Sequence, residues 1–282
     1  MEKRKRIALV LEGGGLRGAY TAGCLSWLID EGIEFDGAYG ISSGAVHLTA
    51  FLKKRKDWLF NMTIDYFCSK KYLGVQGVLK EGSALAVKHL IKDLKKEIGY
   101  NVENFDENVN AKVGIYDLNV GKTIYIPVQE LDDDLIIAAC SLPILQHRVK
   151  KNGHEYLDGG ITDMIPIEEA ERDGYDGYLI ITTKPKDYVR KKTNKLIVAL
   201  MKLVYPKCPE LAKDYSVRSD NYYKQLDIIG ELYNDKKAIY RFPTGHAKVS
   251  RLGGDREELV KLYEMGRSDM EAIKEDIYKL IK

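Results

Sequence analysis

Short apolar runs alternate with stretches of helical periodicity along the first part of the chain. Residues 7–11 form a continuous apolar run that ends at three glycines, and residues 17–30 then carry apolar side chains at helical spacing. A second short run, residues 35–41, ends at another glycine-containing turn, and residues 45–54 are again helical in pattern. Short apolar runs bounded by glycines are typical of buried strands. The order strand, helix, strand, helix predicts a mostly parallel central sheet covered by helices on both faces.

The pattern changes in the second part of the chain. Further strands are predicted at residues 112–116, 123–127, 155–157 and 177–183. From about residue 185 the composition shifts toward Lys, Glu and Tyr with mostly helical patterning, and a strand-like interruption lies at residues 238–242. No linker rich in Pro, Gly or Ser separates the two parts. We therefore predict an α/β domain over residues 1–190 and a mainly helical region over residues 191–282, either separate or integral to the same domain.

Charge and cysteine spacing argue against several classes of protein. Lys plus Arg number 44 and Asp plus Glu 42, so the net charge is +2 and the basic excess of a nucleic-acid-binding protein is missing. No apolar run resembles a signal peptide or approaches the roughly 18 residues of a membrane-spanning helix. The four cysteines show no CxxC pair and no zinc-like spacing. We expect a reduced, cytoplasmic protein that binds no metal.

The first glycine-rich turn lies between a predicted strand and a predicted helix. Residues 13–18 read Gly-Gly-Gly-Leu-Arg-Gly, a sequence that lets the backbone turn tightly and point its amides at a negative charge. The turn matches G-x-G-x-x-G, and Asp36 lies near where a dinucleotide-binding fold holds the ribose. It also fits an oxyanion hole for acyl transfer, and a tight turn without a ligand is the third alternative. Taken alone, the turn favours the dinucleotide.

The second turn supplies a candidate nucleophile. Residues 40–44 read Gly-Ile-Ser-Ser-Gly and match G-x-S-x-G between a strand and a helix. At such a turn the oxygen of Ser42 is exposed, and Gly40 and Gly44 leave room for the bend and for substrate. The amide of Ser43 is then a further oxyanion donor. A plain turn serine is the alternative interpretation.

A serine nucleophile needs a base, and Asp158 is the first candidate. It ends a predicted strand, and Gly159 and Gly160 after it permit close approach to its carboxylate. An ordinary Asp is a weak base because its pKa is about 4, and a water-poor pocket would raise that pKa. The alternative is that Asp158 forms an ordinary Asx-type turn with a purely structural role. His147 or His154, which flank a predicted hairpin before Asp158, would instead complete a Ser-His-Asp triad.

Four motifs occur in an order that resembles the patatin-like phospholipases. They are the turn at residues 12–18, the G-x-S-x-G motif, the segment Ala-Cys-Ser-Leu-Pro at residues 139–143, and Asp-Gly-Gly at residues 158–160. The continuation through residue 166 is also similar, with Asp163 where many members have Asn. The resemblance covers about residues 7–185, and the remainder loosely resembles the helical tail of a bacterial subgroup. It implies a three-layer α/β sandwich whose catalytic domain lies within residues 1–190.

The resemblance also implies roles for individual residues. Ser42 would be the nucleophile and Asp158 its only catalytic partner, in a dyad that cleaves acyl esters of lipids through an acyl-enzyme without metal or cofactor. Arg17 would attract an anionic head group or be a plain helix-surface arginine. The implied oxyanion hole comprises Gly13, Gly14, Gly15, Leu16, Arg17, Gly18 and Ser43.

We therefore expect a phospholipase A or related lipid acyl hydrolase, in the cytoplasm or peripheral to the inner face of the membrane. Its substrate would be a lipid or another acyl ester, and nucleic acid is not expected as a partner. Two alternatives remain open. One is a catalytically silent lipid-binding scaffold, because a fold does not guarantee turnover. The other is a dinucleotide-dependent oxidoreductase.

A basic segment leads into an amphipathic stretch after residue 190. Lys195 and Lys202 are seven residues apart and share a helical face. The opposite face carries Ile197, Leu200, Met201 and Val204. We expect this helix to pack on the sheet, because apolar stripes usually face a core. The alternative is a helix that rests on an anionic membrane.

Overall fold

The computed structural model describes residues 4–282, and its centre is an eight-stranded mixed sheet. The strand order is β5-β6-β3-β2-β1-β7-β8, with β4 pairing to β3 beside this path. Strands β3, β2, β1, β7 and β8 are parallel, whereas β4 and β6 run antiparallel to β3, and β5 runs antiparallel to β6. The strands are β1 (Ile7–Leu11), β2 (Gly37–Ile41), β3 (Ala111–Asp117), β4 (Lys122–Pro127), β5 (Val149–Lys151), β6 (His154–Asp158), β7 (Gly177–Ile181) and β8 (Ala238–Arg241).

Helices cover both faces of the sheet. They are α1 (Ala19–Asp30), α2 (Ser43–Leu52), α3 (Lys56–Asn61), α4 (Val75–Glu81), α5 (Val87–Ile98), α6 (Asp133–Ala139), α7 (Ile167–Asp173), α8 (Lys195–Val204), α9 (Pro209–Ser216), α10 (Arg218–Asn234), α11 (Arg256–Glu271) and α12 (Lys274–Ile281). Alternate side chains of β1 point to opposite faces. Leu9 and Leu11 belong to a core cluster that includes residues of α1, α2, α5 and α11, while Ala8 and Val10 belong to a second cluster that includes residues of α7 and α10. The predicted fold class, a mostly parallel sheet between helical layers, is confirmed.

The C-terminal region shares this sheet and its core. Strand β8 pairs in parallel with β7, and α11 packs closely against α1. Two glycines allow that approach. A Cβ on Gly23 would lie 1.9 Å from the carbonyl oxygen of Tyr263, and one on Gly266 would lie 2.3 Å from that of Tyr20. The backbones of the two helices are therefore in direct contact at these glycines.

One packing expectation is wrong. Helix α8 forms where its periodicity predicts a helix, but it packs against α9 and not against the sheet. Of its apolar residues only Met201 is buried, whereas Leu196 and Leu203 are 77% and 76% exposed. Periodicity indicates a helix with one apolar face but does not specify what covers that face. Within residues 4–282, no helix combines the length and apolar character needed to cross a membrane.

Candidate active site

The two glycine-containing turns lie side by side at one edge of the sheet. Strands β1 and β2 are parallel neighbours with Leu11 opposite Gly40, so the turns that follow them meet at the carboxyl ends of both strands. This edge is where open α/β sheets bind ligands. Strand β3 places the Asp-Gly-Gly motif beside these turns, because Ile41 is opposite Gly114 while Asp158 is opposite the next residue, Ile115.

Ser42 occupies a strained turn between β2 and α2. Its backbone angles are φ 54 and ψ −124, in a region that non-glycine residues seldom adopt. The flanking glycines are required by close contacts. A Cβ on Gly40 would lie 2.7 Å from the carbonyl oxygen of Gly44, and one on Gly44 would lie 2.8 Å from that of Leu11. This geometry is that of the turn that exposes a nucleophilic serine at the top of a sheet.

Asp158 lies against Ser42 in a nearly dry position. Its exposed fraction is 3%, and its Oδ1 accepts a hydrogen bond of 2.7 Å from the amide of Gly160. Burial raises the pKa of the Asp158 carboxyl, while the Ser42 hydroxyl, the Gly160 amide and the charge of Arg218 oppose that rise. A carboxyl group whose neutral form is favoured in this way is a stronger base than an exposed Asp.

No histidine lies with this pair. Among residues 4–282, the cavity that contains Ser42 and Asp158 has no histidine in its lining. His147 Nε2 lies 3.0 Å from the carbonyl oxygen of Glu81, and His154 Nδ1 lies 2.6 Å from a carboxylate oxygen of Asp117. The structure therefore does not bring either candidate for a triad to the serine.

His47 is buried on α2, one turn beyond the serine motif. Its Nε2 lies 2.8 Å from the hydroxyl oxygen of Thr63, and burial lowers its pKa to about 3. A Cβ on Gly18 would lie 2.6 Å from its ring. His47 is therefore a neutral core residue beneath the glycine turn.

The first turn offers fewer unengaged amides than its sequence suggests. The amide of Gly13 donates to the carbonyl of Met164 (3.0 Å), and that of Leu16 donates to the carbonyl of Arg251 (3.0 Å). The amide of Gly14, which we expected to be an oxyanion donor, donates to Ser43 Oγ (2.9 Å). Among the described residues, the amides of Gly15 and Ser43 have no hydrogen-bond partner. These two residues line the same cavity as Ser42, and their amides are available as donors to a negative oxygen.

Asp36 does not lie where a dinucleotide would need it. Its carboxylate accepts a hydrogen bond of 2.8 Å from the amide of Ile7 and lies 3.4 Å from Arg4. Ile7 begins β1, so Asp36 sits at the edge of the sheet opposite the glycine turn. A ribose-binding acid must share the edge of the turn that binds the pyrophosphate.

Comparison with known proteins agrees with this geometry. The family model described as Patatin-like phospholipase matches residues 9–171, which is more than half of the chain. The chain belongs to the patatin-like phospholipase family. Residues 208–282 match a second model, described as a domain of unknown function (DUF6363).

Two individual proteins are similar to this patatin-like chain. The uncharacterized protein YjjU of Escherichia coli (strain K12) is 27% identical over 187 residues, which cover 64% of this chain and 52% of YjjU. The chain thus spans about half the length of that relative. The crystal structure of VipD from Legionella pneumophila is similar in fold, with a TM-score of 0.51 and 12% identity, over 97% of this chain and 67% of VipD.

The cavity of this patatin-like fold has an apolar wall and a basic wall. The apolar wall consists of side chains from α2, α5 and the segments around them: Val46, Phe67, Leu73, Leu85, Val87, Leu90, Ile91 and Leu142. The basic wall consists of Arg17, Lys184, Arg190, Arg218 and Arg251. All of these cations except Arg17 lie outside the segment that the family model matches.

Lys184 is paired with the buried carboxylate of Glu12 behind the glycine turn. Its ammonium group forms a salt bridge with Glu12, which also accepts hydrogen bonds from the amide (2.6 Å) and hydroxyl (2.9 Å) of Thr183. Burial lowers the pKa of Lys184, and the carboxylate of Glu12 opposes this. The pair ties the end of β1 to the segment after β7 and so supports the turn from behind.

Sequence reasoning missed three of the arginines on the basic wall. Arg190, Arg218 and Arg251 belong to no recognisable motif and are far apart in the chain. The segment between β7 and α8, the start of helix α10 and the loop before α11 bring them to the cavity.

Proposed function

We propose that the protein is a serine hydrolase that cleaves acyl esters of lipids through a dyad of Ser42 and Asp158. The observation that carries the proposal is the pairing of a strained serine with a buried carboxyl in a cavity whose described lining has no histidine. Strained backbone at such a turn and a carboxyl with a raised pKa are both features of catalytic sites.

The reaction follows from these positions. The oxygen of Ser42 attacks the ester carbonyl, and Asp158 accepts the proton of the hydroxyl group. The amides of Gly15 and Ser43 donate to the oxyanion, and each such donor contributes roughly 10²–10³ in rate. Asp158 then gives its proton to the leaving alcohol. A water molecule, deprotonated by Asp158, attacks the acyl-enzyme and releases the fatty acid and the free serine.

The apolar wall supports a lipid as the acyl donor. Leu90, Ile91 and Val87 line it from one face of α5, and Val46 lines it from α2. These side chains would bury the chain of a fatty acid, which gains about 0.8 kcal/mol for each CH₂ group removed from water. A small polar acyl group would leave this wall exposed to water.

We further propose that helices α4 and α8 rest on a membrane surface. Val75 and Leu79 on α4 are 75% and 74% exposed, in the same range as Leu196 and Leu203 on α8. Helix α4 lies between the cavity residues Leu73 and Leu85, and α8 follows Arg190. Both helices are thus close in the chain to residues that line the cavity, and the lysines of the segment 191–202 would attract anionic lipids.

A fluorophosphonate probe tests the proposed chemistry. The probe phosphonylates only an activated serine, so we expect it to label the wild-type protein at Ser42 and to leave Ser42→Ala unlabelled. Asp158→Asn should label far more slowly while unfolding at a normal temperature. A folded wild-type protein that stays unlabelled and cleaves no ester would indicate a silent lipid-binding scaffold.

A further inference from the structure

Four arginines on the cavity wall have no acidic salt-bridge partner among the described residues. The arginines elsewhere are mostly paired with carboxylates: Arg4, Arg55, Arg148, Arg172, Arg241, Arg256 and Arg267. By contrast, Arg17, Arg190, Arg218 and Arg251 form no salt bridge with any carboxylate in residues 4–282. The one carboxylate in the described lining of the cavity is Asp158.

The contacts that hold these side chains leave donors available. Arg218 begins α10, and its Nε donates to the carbonyl of Gly160 (2.5 Å), while its guanidinium lies 5.2 Å from the centre of the Tyr215 ring. The guanidinium of Arg190 lies 4.8 Å from the centre of the Tyr222 ring. A guanidinium has five N–H donors, so one backbone contact or a ring contact leaves most of them unused.

The cluster is electrostatically unfavourable without an anion. Burial is the largest cause of the lowered pKa of both Arg17 and Arg218, and the charges of Arg251 and Arg190 lower both values further. The carboxylates of Glu12 and Asp158 raise the pKa of Arg17 and Arg218, respectively, but neither forms a salt bridge with its arginine. Partly buried like charges without a paired counter-ion cost free energy. A bound anion would offset that cost, and planar guanidinium groups match the oxygens of phosphate especially well.

On the basis of the proposed function, we propose that Arg17, Arg190, Arg218 and Arg251 bind the phosphate of a net-anionic phospholipid whose ester carbonyl lies at Ser42. The arrangement selects against zwitterionic head groups. A choline or ethanolamine group beside that phosphate would face the same four cations, and Asp158 is committed to the serine. The preferred substrates are therefore acyl esters with a phosphomonoester or an uncharged group on the phosphate.

The kinetic test compares monomeric short-chain esters that share their acyl chains: a phosphatidic acid, a phosphatidylcholine and a diacylglycerol. Monomers separate the subsite from attraction to a charged membrane. We expect kcat/KM of the wild-type protein to be at least about tenfold higher for the phosphatidic acid than for the phosphatidylcholine or the diacylglycerol. The binding free energy of one charge-assisted hydrogen bond corresponds to a factor of about that size. The double variant R190Q/R251Q should lose that preference, and the surface control R256Q should keep it. Equal preference in wild type and double variant would overturn the proposal.

A binding test does not depend on turnover. Isothermal titration of Ser42→Ala with the same phosphatidic acid should give a Kd at least about tenfold lower than titration of S42A/R190Q/R251Q. Glycerol 3-phosphate should compete better than inorganic phosphate if the site takes a lipid head group. If inorganic phosphate competes equally well, the site takes free phosphate and the head-group assignment is overturned.

The two proposals fail separately. A wild-type protein that cleaves no ester but whose binding weakens in the double variant would overturn the proposed hydrolase and support the phosphate subsite. Cleavage of all three esters at similar rates would support the hydrolase and overturn the subsite.

Discussion

Two regions of the molecule meet at one cavity and contribute different chemistry to it. The segment that matches the family, residues 9–171, contributes Ser42, Asp158, the unengaged amides and most of the apolar wall. The region after residue 171 contributes Lys184 and three arginines, together with the exposed helix α8. The first region thus carries the groups that we propose make and break bonds. The second carries groups suited to choosing and approaching a substrate.

The two sets of groups are also held differently. Ser42 and Asp158 lie at the ends of strands and are fixed by backbone contacts that admit only glycine at neighbouring positions. Arg190 and Arg251 lie in loops, and Arg218 lies at the first turn of a helix. We therefore expect changes in the first set to affect every substrate alike, and changes in the second set to alter selectivity.

The largest expected effect tests the dyad itself. Ser42→Ala and the nearly isosteric Asp158→Asn should each lower kcat by about 10³-fold or more on every ester, because one removes the nucleophile and the other the base. Initial rates on a neutral short-chain ester, with thermal unfolding as a check of the fold, measure this.

The histidines provide the control for that experiment. His147→Ala and His154→Ala should each retain turnover within a few fold, since both side chains are engaged away from the serine. If either variant is as inactive as Asp158→Asn and just as stable, a triad operates and the dyad assignment is wrong.

The next effect concerns the amide of Gly15. Gly15 has φ +59, and a Cβ there would lie 2.3 Å from the carbonyl oxygen of Arg251, so Gly15→Ala should displace the amide. We expect kcat to fall about 10²–10³-fold with little change in KM, because the amide matters once charge has developed. Gly32→Ala is a matched control, since Gly32 has φ +64 with no atom within 4 Å. A rise in KM alone would show that the turn binds substrate rather than the transition state.

The first region was largely predictable from sequence, and the reason is local. Each of β1 and β2 is a short apolar run that ends at glycines, and the helix after it begins within a few residues. Parallel neighbours then place both turns at the same edge. The engagement of the Gly14 amide by Ser43 was not predictable, because it depends on a contact between two turns.

The second region was less predictable because its contacts are distant in sequence. The strand at residues 238–241 and the helix at residues 195–204 follow from patterning, but their partners do not. An apolar face on α8 has the same periodicity whether a sheet, a membrane or water lies against it. Likewise, Arg218 and Arg251 carry no signal in the sequence that would join them to Asp158.

A smaller effect tests the exposed face of α8. Leu203→Ser should weaken sedimentation with phosphatidylglycerol vesicles about tenfold, because inserting part of a Leu side chain into a membrane is worth roughly 1.5 kcal/mol. Hydrolysis of a dispersed ester should not change. Tyr233→Ser is the control, since Tyr233 is 60% exposed but lies near the start of β8 at the opposite edge of the sheet. Equal binding by both variants and the wild type would show that α8 does not face the membrane.

The smallest expected effect is a shift in the pKa of Asp158, which lies in the first region and is influenced by arginines of the second. Asp158 must be ionised to accept a proton, so kcat/KM on a neutral ester should rise with pH through that pKa. Burial raises this pKa, whereas the charges of Arg218 and Arg251 lower it. Removing one positive charge in Arg251→Gln should therefore move the acid limb of the pH profile to higher pH, and Arg256→Gln should leave the limb in place. An acid limb that does not move in Arg251→Gln would show that the arginines act on the substrate alone and do not affect the base.

The raised pKa of Asp158 also means that ionising Asp158 disfavours folding. Asp158→Asn should accordingly be more stable than the wild-type protein at neutral pH, with the difference shrinking as acid protonates Asp158.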